Sequence, residues 1–162
     1  MRPVEELRYL VLAAQREGNR QLAHELRPLG LTPSQAEVLR VLADHQPLTV
    51  RGLGELLVCE TGTNPSRLVD RLVALGAVDR RPGPHDGREV ELALTDDGAH
   101  LAARVSEVEV GIYAALDAAA AGRPLEETID VLRSFVAQRP AGKALDRRIA
   151  LEASTARAEA SP

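Results

Sequence analysis

Aromatic side chains are nearly absent from this 162-residue chain: Tyr9, Tyr113 and Phe135 are the whole set, and tryptophan is missing. That scarcity argues against a nucleic-acid binder that stacks bases on aromatic platforms. Cysteine is reduced to Cys59, so no disulfide can close within the chain, and a reducing compartment is expected. No apolar run approaches the ~20 residues that span a bilayer, and no charged-then-apolar leader opens the sequence. Together these absences predict a soluble, cytoplasmic protein without a membrane partner. Positive charge does not dominate either: 20 Lys and Arg stand against 24 Asp and Glu, for a formal charge of −4. No global basic field therefore announces a polyanionic partner. Lysine occurs only as Lys143. With so much Ala, Gly and Pro, that bias fits GC-rich coding, so arginine usage by itself carries no functional meaning.

Catalytic signatures are lacking as well. There is no Gly-x-Ser-x-Gly, no phosphate-binding glycine loop and no His-Glu-x-x-His, and no cysteine–histidine set has catalytic spacing. The chain is not expected to be an enzyme. His24, His45, His85 and His100, with Cys59, show no short ligand spacing, so neither a metal nor a cofactor is expected.

What the sequence does contain is helical punctuation. Apolar residues from Val4 to Leu26 recur at helical spacing, slackened around Gly18-Asn19, and Pro28 and Gly30 end the segment. Thr32, Pro33 and Gln35 form a capping box with proline at the first helical position, ahead of a stripe of Ala36, Leu39, Leu42 and Ala43. Thr49 caps a short helix carrying Leu53, Leu56 and Leu57. Asn64 and Pro65 start the next one and Gly76 stops it. On this helix Leu68, Leu72 and Leu75 share one face, flanked by Val69 and Val73. Ser66, Arg67, Asp70 and Arg71 occupy the other. A short helix, a turn and a helix with one apolar and one arginine-bearing face make a helix-turn-helix.

Two short strand-like runs follow, Ala77 to Arg80 and Glu89 to Leu94, the second alternating charged and apolar residues. Between them, Pro82-Gly83-Pro84-His85-Asp86-Gly87 bars helix and favours a turn. The expected fold class is thus mainly α with a small β-hairpin wing, a winged helix-turn-helix. From Gly62 to Arg88 the five arginines 67, 71, 80, 81 and 88 outnumber Asp70, Asp79 and Asp86, a local excess of positive charge in an acidic protein.

Thr95, with Asp96 and Asp97, starts a long helix ending near Ala121. Leu101, Val105, Val108, Ile112, Ala115 and Ala119 form a heptad-like seam along it. Gly122-Arg123-Pro124 interrupts, Leu125, Ile129, Leu132 and Val136 continue the stripe, and Leu145 and Ile149 mark a last amphipathic stretch. A winged helix is complete without these flanks, so their apolar stripes are expected to cover a second copy in a two-fold homodimer. The expected organisation is a helical dimerisation region over 1–30 and 96–152, a winged helix-turn-helix over 31–95, and a disordered tail over 153–162.

This layout resembles the MarR family of bacterial transcription regulators over Val4 to Val136. The most specific pieces are "SRLVDRLVALGAVDR" (Ser66 to Arg80) and "DGREVELALTDDG" (Asp86 to Gly98), the latter fitting the family's wing signature. In one departure, the turn "VCETGTNPS" is slightly longer than is usual in the family and places Pro65 where a small or apolar residue is common. The resemblance implies a homodimeric repressor that reads a palindromic operator in double-stranded DNA and is released by a small-molecule effector. Thr63, Asn64, Ser66, Arg67, Arg71, Arg80, Arg81, His85 and Arg88 are then the DNA-contact candidates. Ser66 and Arg67 sit at the positive end of the recognition helix, within reach of bases, and Arg71, Arg80, Arg81 and His85 face the backbone. Arg88 is the residue the family inserts into the minor groove, whose negative potential attracts arginine. Asp86 shapes the wing, because phosphates repel a carboxylate. For the effector, the resemblance points between the dimerisation helices and the winged helix, where Tyr9, Arg16, Arg20, His24, His45 and Tyr113 lie on the relevant segments. Two other readings stay open: a winged helix whose arginine face meets an acidic protein, and a thiol sensor acting through Cys59. No basic neighbour in sequence would activate that thiol, and Glu60 opposes its ionisation.

Overall fold

The computed structural model describes residues 1–58, 64–83 and 89–159. Helix α1 (Pro3–Leu26) leads through a 3-10 turn (Arg27–Leu29) to α2 (Pro33–His45). Then come β1 (Leu48–Thr49), α3 (Val50–Gly54), α4 (Pro65–Ala74) and the strands β2 (Val78–Pro82) and β3 (Val90–Leu94). Three helices close the chain: α5 (Asp96–Ala120), α6 (Leu125–Val136) and α7 (Pro140–Glu159).

Helix α2 is the centre of the fold. Its Val38, Leu39, Val41 and Leu42 are fully buried, packed with Leu26 of α1, Leu53 of α3, Val69 and Leu72 of α4, Leu92 of β3 and Val105 of α5. At ~1.5–3 kcal/mol for each large apolar side chain removed from water, this cluster dominates the stability of the helix-turn-helix. The three strands form one antiparallel sheet in the order β1-β3-β2, with Leu48 opposite Leu92, and Val78 opposite Leu94. Pro82 fits at the far end of β2 because that strand lies on the sheet edge, where a missing N–H costs no ladder bond.

The predicted caps are present. Thr32 accepts from Gln35 N and Gln35 reciprocates on Thr32 N; Thr49 caps α3; Gly76 stops α4 at φ 76°. Several expectations need correction. Helix α1 is unbroken through Gly18 and Asn19, since one glycine costs a helix only ~1 kcal/mol. Leu75 does not share the buried face of α4: it is the C-cap residue and is 49% exposed, while Val69 joins Leu68 and Leu72 inside. On β3 the alternation holds for Leu92 and Leu94 but not for Val90, which is exposed at the outer end. The α5 seam divides. Val105 is core, with Leu101 and Val108 packed on it, whereas Ala115 and Ala119 lie beyond α2 and are exposed. Finally, α7 runs to Glu159, well into the stretch expected to be without structure. There Arg157 donates to Ala153 O at 2.9 Å and Ser154 and Thr155 donate to Leu151 O. Alanine's helix propensity sustains the helix without an apolar face.

Candidate nucleic-acid interface

Helix α4 is held at its start by Asn64, whose Oδ1 accepts from Ser66 N at 3.0 Å. This side chain is therefore engaged in capping, and Ser66 beside it is half-buried. Arg67, next in sequence, and Arg71, one turn further, are exposed, and both project away from the buried face of Leu68 and Leu72. Among the described residues neither has a carboxylate within ion-pair distance. Asp70, their natural neighbour, is occupied elsewhere: Arg80 of β2 reaches it at 2.5 Å. The hairpin thus engages the acid that sits beside Arg67 and Arg71 on α4 among the described residues. Arg81 pairs with Asp79 on its own strand at 3.3 Å, both well exposed, so this bond is weak and easily exchanged for another anion.

The wing base is tied to this helix through Thr95 and Gly98. Thr95 donates its hydroxyl to Gly76 O at 2.6 Å and accepts from Gly98 N at 3.0 Å. A Cβ on Gly98 would stand 1.9 Å from Ala77 O, so only glycine permits α5 to start this close to the α4–β2 turn. Gln46 completes the anchoring by accepting from Leu94 N at 2.7 Å. Thr63, His85, Asp86 and Arg88, as well as Cys59, lie outside the described residues.

The expected effector-site residues do not converge. A cleft of about 480 Å³ opens between α1, α2, α5 and α7, walled by Leu22, Ala36, Ile112, Tyr113, Leu145 and Ile149. Two ion pairs line it, Arg40 with Glu109 at 3.2 Å and Arg148 with Glu37 at 3.4 Å. Of the predicted set, only Tyr113 lines this cleft. Partial burial, then the Glu109 carboxylate, push the Tyr113 phenol above the usual value of 10.0, with Arg40 and Arg148 pulling the other way. Arg20 and His24 share a shallow groove along α1. Tyr9 and Arg16 are exposed, with the Arg8 guanidinium 5.2 Å from the Tyr9 ring centre. His45 sits at the end of α2 with a buried Nε2 that has no hydrogen-bond partner among the described residues. On α1 only Leu26 is buried, and its outer turns, with Tyr9 and Arg16, stay exposed. Arg40, Glu109, Arg148 and Glu37 come together at this cleft from distant parts of the chain, and no local motif in the sequence links them.

A helix-turn-helix whose second helix presents exposed arginines, followed at once by the β2–β3 hairpin of a three-stranded sheet, defines the winged-helix class. Known proteins place the chain more closely. The MarR family profile matches residues 29–89. The organic hydroperoxide resistance transcriptional regulator of Bacillus subtilis is 32% identical over 103 residues, covering 64% of this chain and 69% of that one. The multiple antibiotic resistance protein MarR of Salmonella typhimurium is 34% identical over 90 residues, 56% of this chain and 62% of its own length. In structure, a cysteine variant of Escherichia coli MarR complexed with operator DNA superimposes with a TM-score of 0.71 at 26% identity, over 82% of this chain and 95% of the other. The S. aureus MepR–DNA complex shares the fold, with a TM-score of 0.72 at 21% identity. The chain belongs to the MarR family of winged-helix, DNA-binding transcription regulators. No helix among the described residues is long and apolar enough to cross a membrane.

Proposed function

We propose that the protein is a cytoplasmic repressor that binds a palindromic operator as a homodimer and is released by a small molecule. The observation that carries this reading is the state of α4: Arg67 and Arg71 are exposed and unpaired among the described residues, because Arg80 holds Asp70. Arg67 lies nearest the positive helix end and is assigned to base edges; Arg71 is assigned to phosphate. Arg81, only weakly tied to Asp79, flanks the wing and neutralises backbone charge, Arg80 stays engaged by Asp70, and Arg88, by the family's wing pattern, enters the minor groove. Dimerisation falls to residues 1–30 and 96–152, whose exposed Val4, Leu7, Leu10, Leu116, Ile129 and Phe135 find no cover within the chain. The two-fold axis then sets two α4 helices in successive major grooves, ~10 bp apart. The cleft beside Tyr113 supplies room for the effector.

Selection from a randomised duplex pool tests the reading. The expected product is an inverted repeat with half-sites ~10 bp apart. A pool that stays flat, or one that yields an asymmetric site, contradicts it.

A further inference from the structure

Glu37 stands where three parts of the molecule meet. It projects from α2 with its side chain only 9% exposed. Its Oε1 accepts from Val58 N at 2.7 Å, a short charge-assisted bond across 21 residues of sequence. The same oxygen faces Arg148 Nη1 of α7 at 3.4 Å. Val58 stands six residues ahead of the Asn64 cap, on the segment that leads from α3 into α4.

Helix α7 is itself anchored at both sides of this contact. At its start Gly142 lies so close to the end of α6 that a Cβ would stand 2.1 Å from Val136 O. Further along, Ala144 is buried, and Arg147 Nη1 approaches the carbonyl of Glu55 at 3.5 Å and its carboxylate at 3.7 Å. Glu55 is the C-cap residue of α3. Two consecutive arginines of α7 therefore approach the helix-turn-helix, at the α3 cap and, through Glu37, at Val58.

We propose that Glu37 is a positioning residue for DNA reading: it couples the docked α7, through Arg148, to the backbone of Val58 and so sets the placement of α4. The proposal rests on the reading that α4 contacts DNA. A carboxylate is suited to this task because one oxygen can serve an amide donor and a guanidinium at once. Without the Arg148 contact, Glu37 loses a cationic partner and its bond to Val58 weakens. No change in the core around Leu39 and Leu42 is needed.

The test combines amide hydrogen exchange with DNA binding on Glu37→Ala, Glu37→Gln, Arg148→Gln and the double variant Glu37→Gln/Arg148→Gln, all in the full chain. Glu37→Ala removes the acceptor of a part-buried amide, so exchange at Val58 should quicken ~10-fold or more while Leu39 and Leu42 keep their protection. Preference for the DNA upstream of the gene over scrambled DNA should fall by a similar factor. Glu37→Gln keeps an oxygen for Val58 and loses the ion pair. It and Arg148→Gln should each give a milder loss of ~3-fold, and the double variant should be no worse than either, as expected for one shared interaction. Parental exchange at Val58 in Arg148→Gln would overturn the coupling, and so would additive losses in the double variant. Should Glu37→Ala fail to fold, the two glutamine variants decide alone. If the parent shows no preference for any DNA, the reading of α4 falls; exchange at Val58 in Arg148→Gln still decides whether α7 holds this segment.

Discussion

At the level of single residues, recognition depends on which charges are free. Arg67→Ala should cost ~1–3 kcal/mol of discrimination between operator and mismatched DNA, because a bidentate base contact is lost. Arg71→Ala should leave that discrimination intact and instead lower the slope of log affinity against log salt by ~0.9, the signature of one lost phosphate contact. Competition binding at several salt concentrations separates the two. The cleft offers a check on its electrostatics. Tyr113 is held protonated by burial and by Glu109. Its phenol form is favoured by the fold, so its contribution is whole below 10.0, the value of an unfolded tyrosine, and is lost as pH rises past the raised folded value. Glu109→Gln should lower the raised Tyr113 titration in ultraviolet absorbance, while burial keeps part of the shift. The arginine face of α4 was legible in the sequence because helical periodicity fixes which residues share a side. The occupation of Asp70 by Arg80 was not, since only the folded hairpin brings together residues ten apart. The burial of Glu37 against Val58 was hidden for the same reason.

At the level of elements, the joints matter more than the helices. Gly98→Ala forces a Cβ onto Ala77 O, so it should lower stability by ~1–3 kcal/mol or more. Gly111→Ala, on the same helix with nothing within 4 Å, should be neutral or stabilising by up to ~1 kcal/mol. Thermal denaturation of the pair gives the contrast; equal midpoints would mean that α5 does not start where it is placed here. Helix starts were readable because Thr32, Thr49, Asn64 and Thr95 each announce a cap. Strand β1 was not. Two residues carry no periodicity, and Leu48-Thr49 becomes a strand only by pairing with Leu92 and Glu91. The exposure of Leu75 belongs here too: the helical stripe continues through it in sequence, but the chain turns at Gly76 first.

For the whole molecule, the uneven distribution of apolar surface is the main fact. The winged helix has a closed core around α2, whereas α1, the far half of α5 and α6 leave large apolar side chains in water. A patch of this kind marks an interface. Replacing Ile129 or Phe135 by Glu should shift the protein from dimer to monomer in sedimentation velocity and abolish binding to a palindrome without unfolding the winged helix. A parent that sediments as a monomer at micromolar concentration would contradict the two-fold arrangement. The terminal stripes were visible in the sequence, yet the division of the α5 seam between core and surface was not. That division depends on where α2 ends against α5.

The most direct test of the central claim is fluorescence anisotropy of the purified protein on the DNA upstream of its gene, with scrambled DNA as competitor, at two salt concentrations. The account predicts tight, salt-sensitive binding that scrambled DNA fails to displace, with a preference of ~10³ or more. Equal displacement by both competitors would contradict sequence-specific reading by α4, and the arginine face would then have to be assigned to an acidic protein partner.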